Sequence, residues 1–73
     1  MNPTRVRARR RAFGFTQAHL AEAVGVSRQT IIAIEGGDYS PSVHLALRIA
    51  AVLETSVEDL FEVESTRKNT TPQ

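Results

Sequence analysis

Residues 17–36 read QAHLAEAVGVSRQTIIAIEG, and this stretch decides the fold. Leu20, Ala21 and Val24 fall on one face of a helix over Gln17–Val24. Thr16, just before it, has the side-chain oxygen an N-cap needs. Gly25 ends the helix, because the chain must turn there through positive φ, which costs glycine little. Ser27 caps a second helix, Arg28–Glu35, with Ile31 and Ile34 inward and Gly36-Gly37 as its stop. Ala21 must be small where the two helices cross. Leu20, Val24, Val26, Ile31 and Ile34 must be apolar to close the corner between them. The unit is a helix, a tight turn and a second helix.

Outward from this unit the chain continues as helix. Residues 5–13 place Val6, Arg10 and Phe13 at spacings of four and three, with Pro3 and Thr4 suited to a helix start and Gly14 to its end. Asp38–Pro41 is a turn. Ser42 caps a fourth helix, where Ala46, Ile49, Ala50 and Leu53 form a stripe at i, i+3, i+4 and i+7. Ser56 caps a short fifth helix, Val57–Phe61, whose first turn carries Glu58 and Asp59 in line with the helix dipole. Phe61-Glu62-Val63-Glu64 alternates with the period of a short C-terminal β-strand. Residues 65–73 are polar and expected to fray. The expectation is an all-α, five-helix domain over residues 1–64, with a flexible tail over 65–73.

Seventy-three residues make one small domain. In such a chain apolar burial and conformational entropy nearly cancel, so either a very regular helical core or a partner subunit is needed. There is no cysteine. Disulfides, cysteine-based zinc sites and thiol catalysis are excluded, and a reducing cytoplasm fits. No apolar run reaches the roughly 18 residues of a membrane helix. MNPTRVRARRR lacks the apolar segment of a signal peptide. His19 and His44 stand alone, and no histidine–carboxylate group has metal-ligand spacing, so no metal or other cofactor is expected. No nucleophile–base set or phosphate-binding glycine loop argues for an enzyme.

The net charge of +1 conceals an asymmetry. Residues 1–30 hold Arg5, Arg7, Arg9, Arg10, Arg11 and Arg28 against Glu22 alone, a net of +5. Residues 31–73 hold Arg48, Arg67 and Lys68 against Glu35, Asp38, Glu54, Glu58, Asp59, Glu62 and Glu64, a net of −4. One half is suited to a polyanion and the other faces elsewhere. Together with the central unit, this is the helix-turn-helix pattern, whose second helix enters the DNA major groove N-terminus first. Ser27, Arg28, Gln29 and Thr30 crowd that end. Arginine forks to guanine O6 and N7, and glutamine to adenine N6 and N7. Ile32 either touches a thymine methyl or packs against the fourth helix. Thr16, Gln17 and the free N–H groups beside them suit one phosphate; Tyr39, Ser40 and Ser42 suit another. Arg9 is a further phosphate candidate among the arginines of the first helix, as are Arg7 and Arg11.

The run SRQTIIAIEGGDYSPSVHLALRIAAVL, from residue 27, resembles the Cro/cI-type (lambda-repressor-like, XRE) helix-turn-helix family, especially its small stand-alone repressors of the cytolysin-regulator kind. The resemblance spans about residues 5–64. It implies a lambda-repressor-like domain that binds double-stranded DNA as a homodimer on a twofold operator and regulates transcription. It also implies an ion pair between Arg10, on the inward stripe of the first helix, and Glu35. The dimer surface is expected among Val52, Val57, Leu60, Phe61 and Val63, which the basic face leaves free. Glu54 departs from the family, which usually has Gly or Asn there. So does the arginine-rich start after Pro3, where close relatives pair an apolar N-terminal strand with the C-terminal one. A protein-interaction module, such as an antitoxin or adaptor, is the rival reading. No small-molecule ligand domain is expected.

Overall fold

The computed structural model describes residues 4–61. Five helices follow in order: α1 (Val6–Ala12), α2 (Gln17–Val24), α3 (Arg28–Glu35), α4 (Val43–Val52) and α5 (Val57–Leu60). No strand occurs among the described residues. α5 is one residue shorter than the pattern suggests, since Phe61 leaves it in extended conformation (φ −123°, ψ 114°). Residues 62–64 of the expected strand, and the expected tail over 65–73, lie outside the described residues.

Four helices start on the hydroxyl that the sequence places before them. Thr16 Oγ1 accepts from the His19 N–H at 3.0 Å, Ser27 Oγ from Thr30 at 3.2 Å, Ser42 Oγ from Leu45 at 3.1 Å and Ser56 Oγ from Asp59 at 3.2 Å. Each such cap contributes about 0.5–2 kcal/mol to its helix. α1 begins differently. Its N-cap is Arg5, with no side-chain cap, and the Arg5 N–H donates to the Leu60 carbonyl at 2.9 Å. The Thr4 hydroxyl donates to the Ile34 carbonyl at 3.2 Å. The first helix is therefore anchored by the ends of α5 and α3.

α2 ends on Gly25 at φ 80°. The N–H of Val26 reaches back to Ala21 and that of Gly25 to Glu22, the paired bonds of a Schellman turn. A Cβ on Gly25 would also lie 3.4 Å from Nη1 of Arg48. That guanidinium donates to the Val24 carbonyl at 3.0 Å, so α4 holds the turn from outside.

Val6, Leu20, Val24, Ile31, Ile34, Ile49, Leu53 and Leu60 are buried in one core, drawn from all five helices. Removing each large aliphatic from water contributes about 1.5–3 kcal/mol. Ala21 and Ala50, also buried, keep the helices close. α4 stops in an unusual way: Glu54 follows it at φ 56°, the only non-glycine with positive φ among the described residues.

Candidate nucleic-acid interface

α3 presents two opposite faces. Ile31, Ile34 and Glu35 are buried, whereas Ser27, Arg28, Gln29 and Ile32 are exposed. The buried side is fixed at both ends of the helix. Ile31 and Ile34 enter the core, and Glu35 enters a polar cluster under α1. There Arg10 donates from Nε to Glu35 Oε2 at 2.6 Å and from Nη2 to Oε1 at 3.3 Å. Its Nη1 donates to the Phe15 carbonyl at 2.8 Å. Gln17 Nε2 adds a bond to Glu35 Oε1 at 3.1 Å. The structure thus brings Arg10 and Glu35 together, with side chains only 9% and 4% exposed. A fork-to-carboxylate pair, with each guanidinium nitrogen making one bond, clamps α3 to α1 and α2.

On the outward face the residues differ in what they have free. Arg28 and Gln29 make no side-chain hydrogen bond among the described residues. Ser27 and Thr30 do: their hydroxyls lie 3.0 Å apart, and Ser27 also caps the helix. Thr30 is half-buried. Ile32 is 38% exposed, so it is partly covered and partly open to solvent. Arg28, Gln29 and Ile32 therefore form an exposed strip over the first five residues of α3, the kind of helix face a major groove admits.

The start of α2 flanks this strip. Thr16 is exposed, and the N–H groups of Gln17 and Ala18 belong to the first turn, where no intrahelical acceptor exists. Gln17 is half-buried, and its amide donates to Glu35. His19 is exposed and stacks on Phe15 with ring centroids 4.0 Å apart. On the other flank Tyr39 and Ser40 are exposed before α4, and Ser42 is engaged as its cap.

Two sequence expectations need correction. Arg9, expected to face a phosphate, is instead engaged within the domain through two of its nitrogens: Nε donates to the Leu53 carbonyl at 2.9 Å and Nη2 to that of Glu54 at 3.0 Å. Its guanidinium caps the end of α4 and lies 5.8 Å from the Phe13 ring centre. Leu60 is not a surface residue. It is 1% exposed, because the short α5 must supply the plug that closes the core over α1 and α4. Val52, Val57 and Phe61 are half-buried against that core, and Val63 lies outside the described residues. Besides Ile32, the exposed large aliphatics among the described residues are Val43 (77%) and Leu47 (55%), one turn apart on α4. Their position off the core stripe, where polar residues belong, was the signal in the sequence.

The helix-turn-helix family model matches residues 6–60. The chain belongs to that family, in its Cro/cI (XRE) branch. An uncharacterised HTH-type transcriptional regulator of Methanothermobacter thermautotrophicus is 56% identical over 59 residues, 80% of this chain and 86% of the relative. The Bacillus subtilis HTH-type regulator YgzD is 48% identical over 60 residues, 82% of this chain and 91% of the relative. Among solved structures, the restriction-modification controller protein C.AhdI of Aeromonas hydrophila superposes with a TM-score of 0.72 at 32% identity. That match covers 78% of this chain and 86% of the controller. The five-helix domain is thus the lambda-repressor-like fold, and its family is one of DNA-binding transcription regulators. Among the described residues no helix is long and apolar enough to cross a membrane.

Proposed function

We propose that this chain is a sequence-specific DNA-binding repressor of transcription, acting in the cytoplasm as a homodimer on a twofold operator. One observation carries the reading: Arg28 and Gln29 stand free at the N-terminal end of a helix whose other face is locked by Ile31, Ile34 and the Arg10–Glu35 pair. Reading helices need this combination, because side chains select a base only when the backbone behind them does not yield. Arg28 forks to a guanine, Gln29 to an adenine, and Ile32 meets a thymine methyl. Ser27 and Thr30, already bonded to each other, shape the tip and make secondary base contacts.

Phosphates are held at the two flanks: at Thr16 and Gln17 on one side, and at Tyr39, Ser40 and Ser42 on the other. These contacts position α3 without carrying sequence information. Repression follows by occupancy, since a protein seated in the groove across a promoter excludes polymerase. A single module reads only a few base pairs, and a twofold pair doubles the contacts at half-sites about 34 Å apart. The pairing face is the exposed part of α4 around Val43 and Leu47, bordered by Val52, Val57 and Phe61. Leu60 stays in the core.

The test is selection from a random duplex pool, followed by binding to the selected site and to random DNA. Arg28→Ala and Gln29→Ala should each cost about 1–3 kcal/mol on the selected site and relax preference at separate base pairs. Gln17→Ala should weaken both duplexes alike. Equal loss on both duplexes for Gln29→Ala, or a pool that never enriches, refutes α3 as the reading helix. A promoter carrying the selected site should be silenced by the protein; stimulation would reverse the regulatory sign.

A further inference from the structure

The arginines of α1 divide into two pairs. Arg9 caps α4 and Arg10 is neutralised by Glu35. Arg7 and Arg11 are exposed, and neither makes a side-chain hydrogen bond or ion pair among the described residues. They stand four residues apart on one face of the helix, where like charges repel. Arg7 lies in the first turn of α1, the end at which a helix dipole disfavours a cation. Both line an open basin whose other walls are Arg10, Phe15, Thr16 and Gln17. Among the described residues no acidic side chain lines it. Its floor is the start of α2, the flank of the reading strip.

We propose that Arg7 and Arg11 form a clamp for the phosphodiester backbone of bound duplex DNA, outside the base pairs that α3 reads. This rests on the DNA-binding reading above and extends its footprint from α2 to α1. Two guanidinium forks facing one basin match phosphate oxygens bidentately, and the anion removes the repulsion between them. Arg10 stays tied to Glu35 and contributes shape. The clamp is blind to sequence, so it raises affinity for all duplexes while Arg28 and Gln29 choose among them.

The experiment is a fluorescence-anisotropy titration of a labelled duplex carrying the selected site, and of a random duplex, over a series of KCl concentrations. The Arg7→Gln/Arg11→Gln variant should lose affinity for both duplexes by the same factor. Its plot of log K against log salt should be shallower by about 0.9 for each phosphate that is no longer neutralised, about 1.8 per module. Arg7→Lys/Arg11→Lys, which keeps the charge, should restore most of the slope, a rescue that a merely structural role would not produce. Far-UV circular dichroism should give both variants the parent's helix content. A variant slope equal to the parent's overturns the clamp and leaves the DNA-binding reading intact, whereas a parent that binds no duplex overturns both. Inorganic phosphate is the second probe. If it binds the free parent in an Arg7- and Arg11-dependent way while the DNA slope stays unchanged, the basin is a free-anion site and the proposal fails.

Discussion

Glu35→Ala should unfold this protein more readily than any surface change. The carboxylate accepts three hydrogen bonds: two from Arg10, at 2.6 and 3.3 Å, and one from Gln17 at 3.1 Å. Its removal leaves the Arg10 guanidinium with only the Phe15 carbonyl, inside a site where that side chain is 9% exposed. A buried charge stripped of its partner costs about 3–5 kcal/mol. A chain of this size holds a total stability of about 4–11 kcal/mol, so the variant loses a large part of it. At roughly 4–8 °C per kcal/mol for such a domain, the melting temperature should fall by at least about 12 °C. The assay is a thermal melt with a parallel urea titration, at fixed protein concentration because self-association would raise apparent stability. Glu22→Ala, on the exposed face of α2, is the control and should stay within about 0.5 kcal/mol.

The pair itself need not stabilise the fold relative to an apolar pair, and the double change separates the two effects. Arg10→Met with Glu35→Leu removes both charges and fills similar volume, so much of the loss should return. The difference between the double variant and the sum of the singles gives the coupling. If Glu35→Ala melts within about 1 kcal/mol of the parent, the pair is solvated and the desolvation argument fails. If the double variant is as unstable as Glu35→Ala, the loss comes from packing and not from an orphaned charge.

Glu54→Gly should stabilise the protein by about 0.5–1 kcal/mol, because the left-handed region costs a side-chain-bearing residue about 1–2 kcal/mol and the added chain entropy of glycine offsets part of that gain. A lower melting temperature would mean that the Glu54 side chain contributes more than its backbone loses. Leu47→Asp should turn a sedimenting dimer into an 8.0 kDa monomer at micromolar concentration with an unchanged circular dichroism spectrum, and Leu60→Asp should instead unfold the chain. A Leu47→Asp protein that remains dimeric places the pairing face elsewhere.

What could be read in the sequence was local. Thr16, Ser27, Ser42 and Ser56 cap N–H groups three residues on, so spacing alone locates them. Gly25 and the aliphatic positions of the helix-turn-helix unit follow from the same short range. Leu60 could not be judged this way. A C-terminal Val-x-x-Leu-Phe pattern looks the same whether it covers a partner or closes its own core. The choice depends on the gap that α1 and α4 leave. Glu54 lies between the two cases: its oddity was visible in the sequence, but its left-handed backbone is known only from the fold.

The arginines show where local reading stops and why that matters for the interface. By composition Arg7, Arg9, Arg10 and Arg11 are one basic run, suited as a whole to a polyanion. The acceptors that separate them lie far along the chain: Glu35 is 25 residues from Arg10, and the Leu53 carbonyl is 44 from Arg9. Helix periodicity then does the sorting. Positions 10 and 9 turn toward α3 and the end of α4, while positions 7 and 11 fall together on the remaining face. Arg48, though exposed, likewise closes α2 by donating to the Val24 carbonyl. Arg5 also donates to the Asp59 carbonyl at 3.4 Å, so four arginines, Arg5, Arg9, Arg10 and Arg48, bond within the domain. On the proposed reading, the arginines that meet DNA are Arg28 on α3 and Arg7 with Arg11 on α1. The net charge of the N-terminal half therefore overstates its electrostatic footprint. On that reading, a salt slope counted from all six arginines of residues 1–30 is too steep, and one counted from Arg7, Arg11 and Arg28 is the expected outcome.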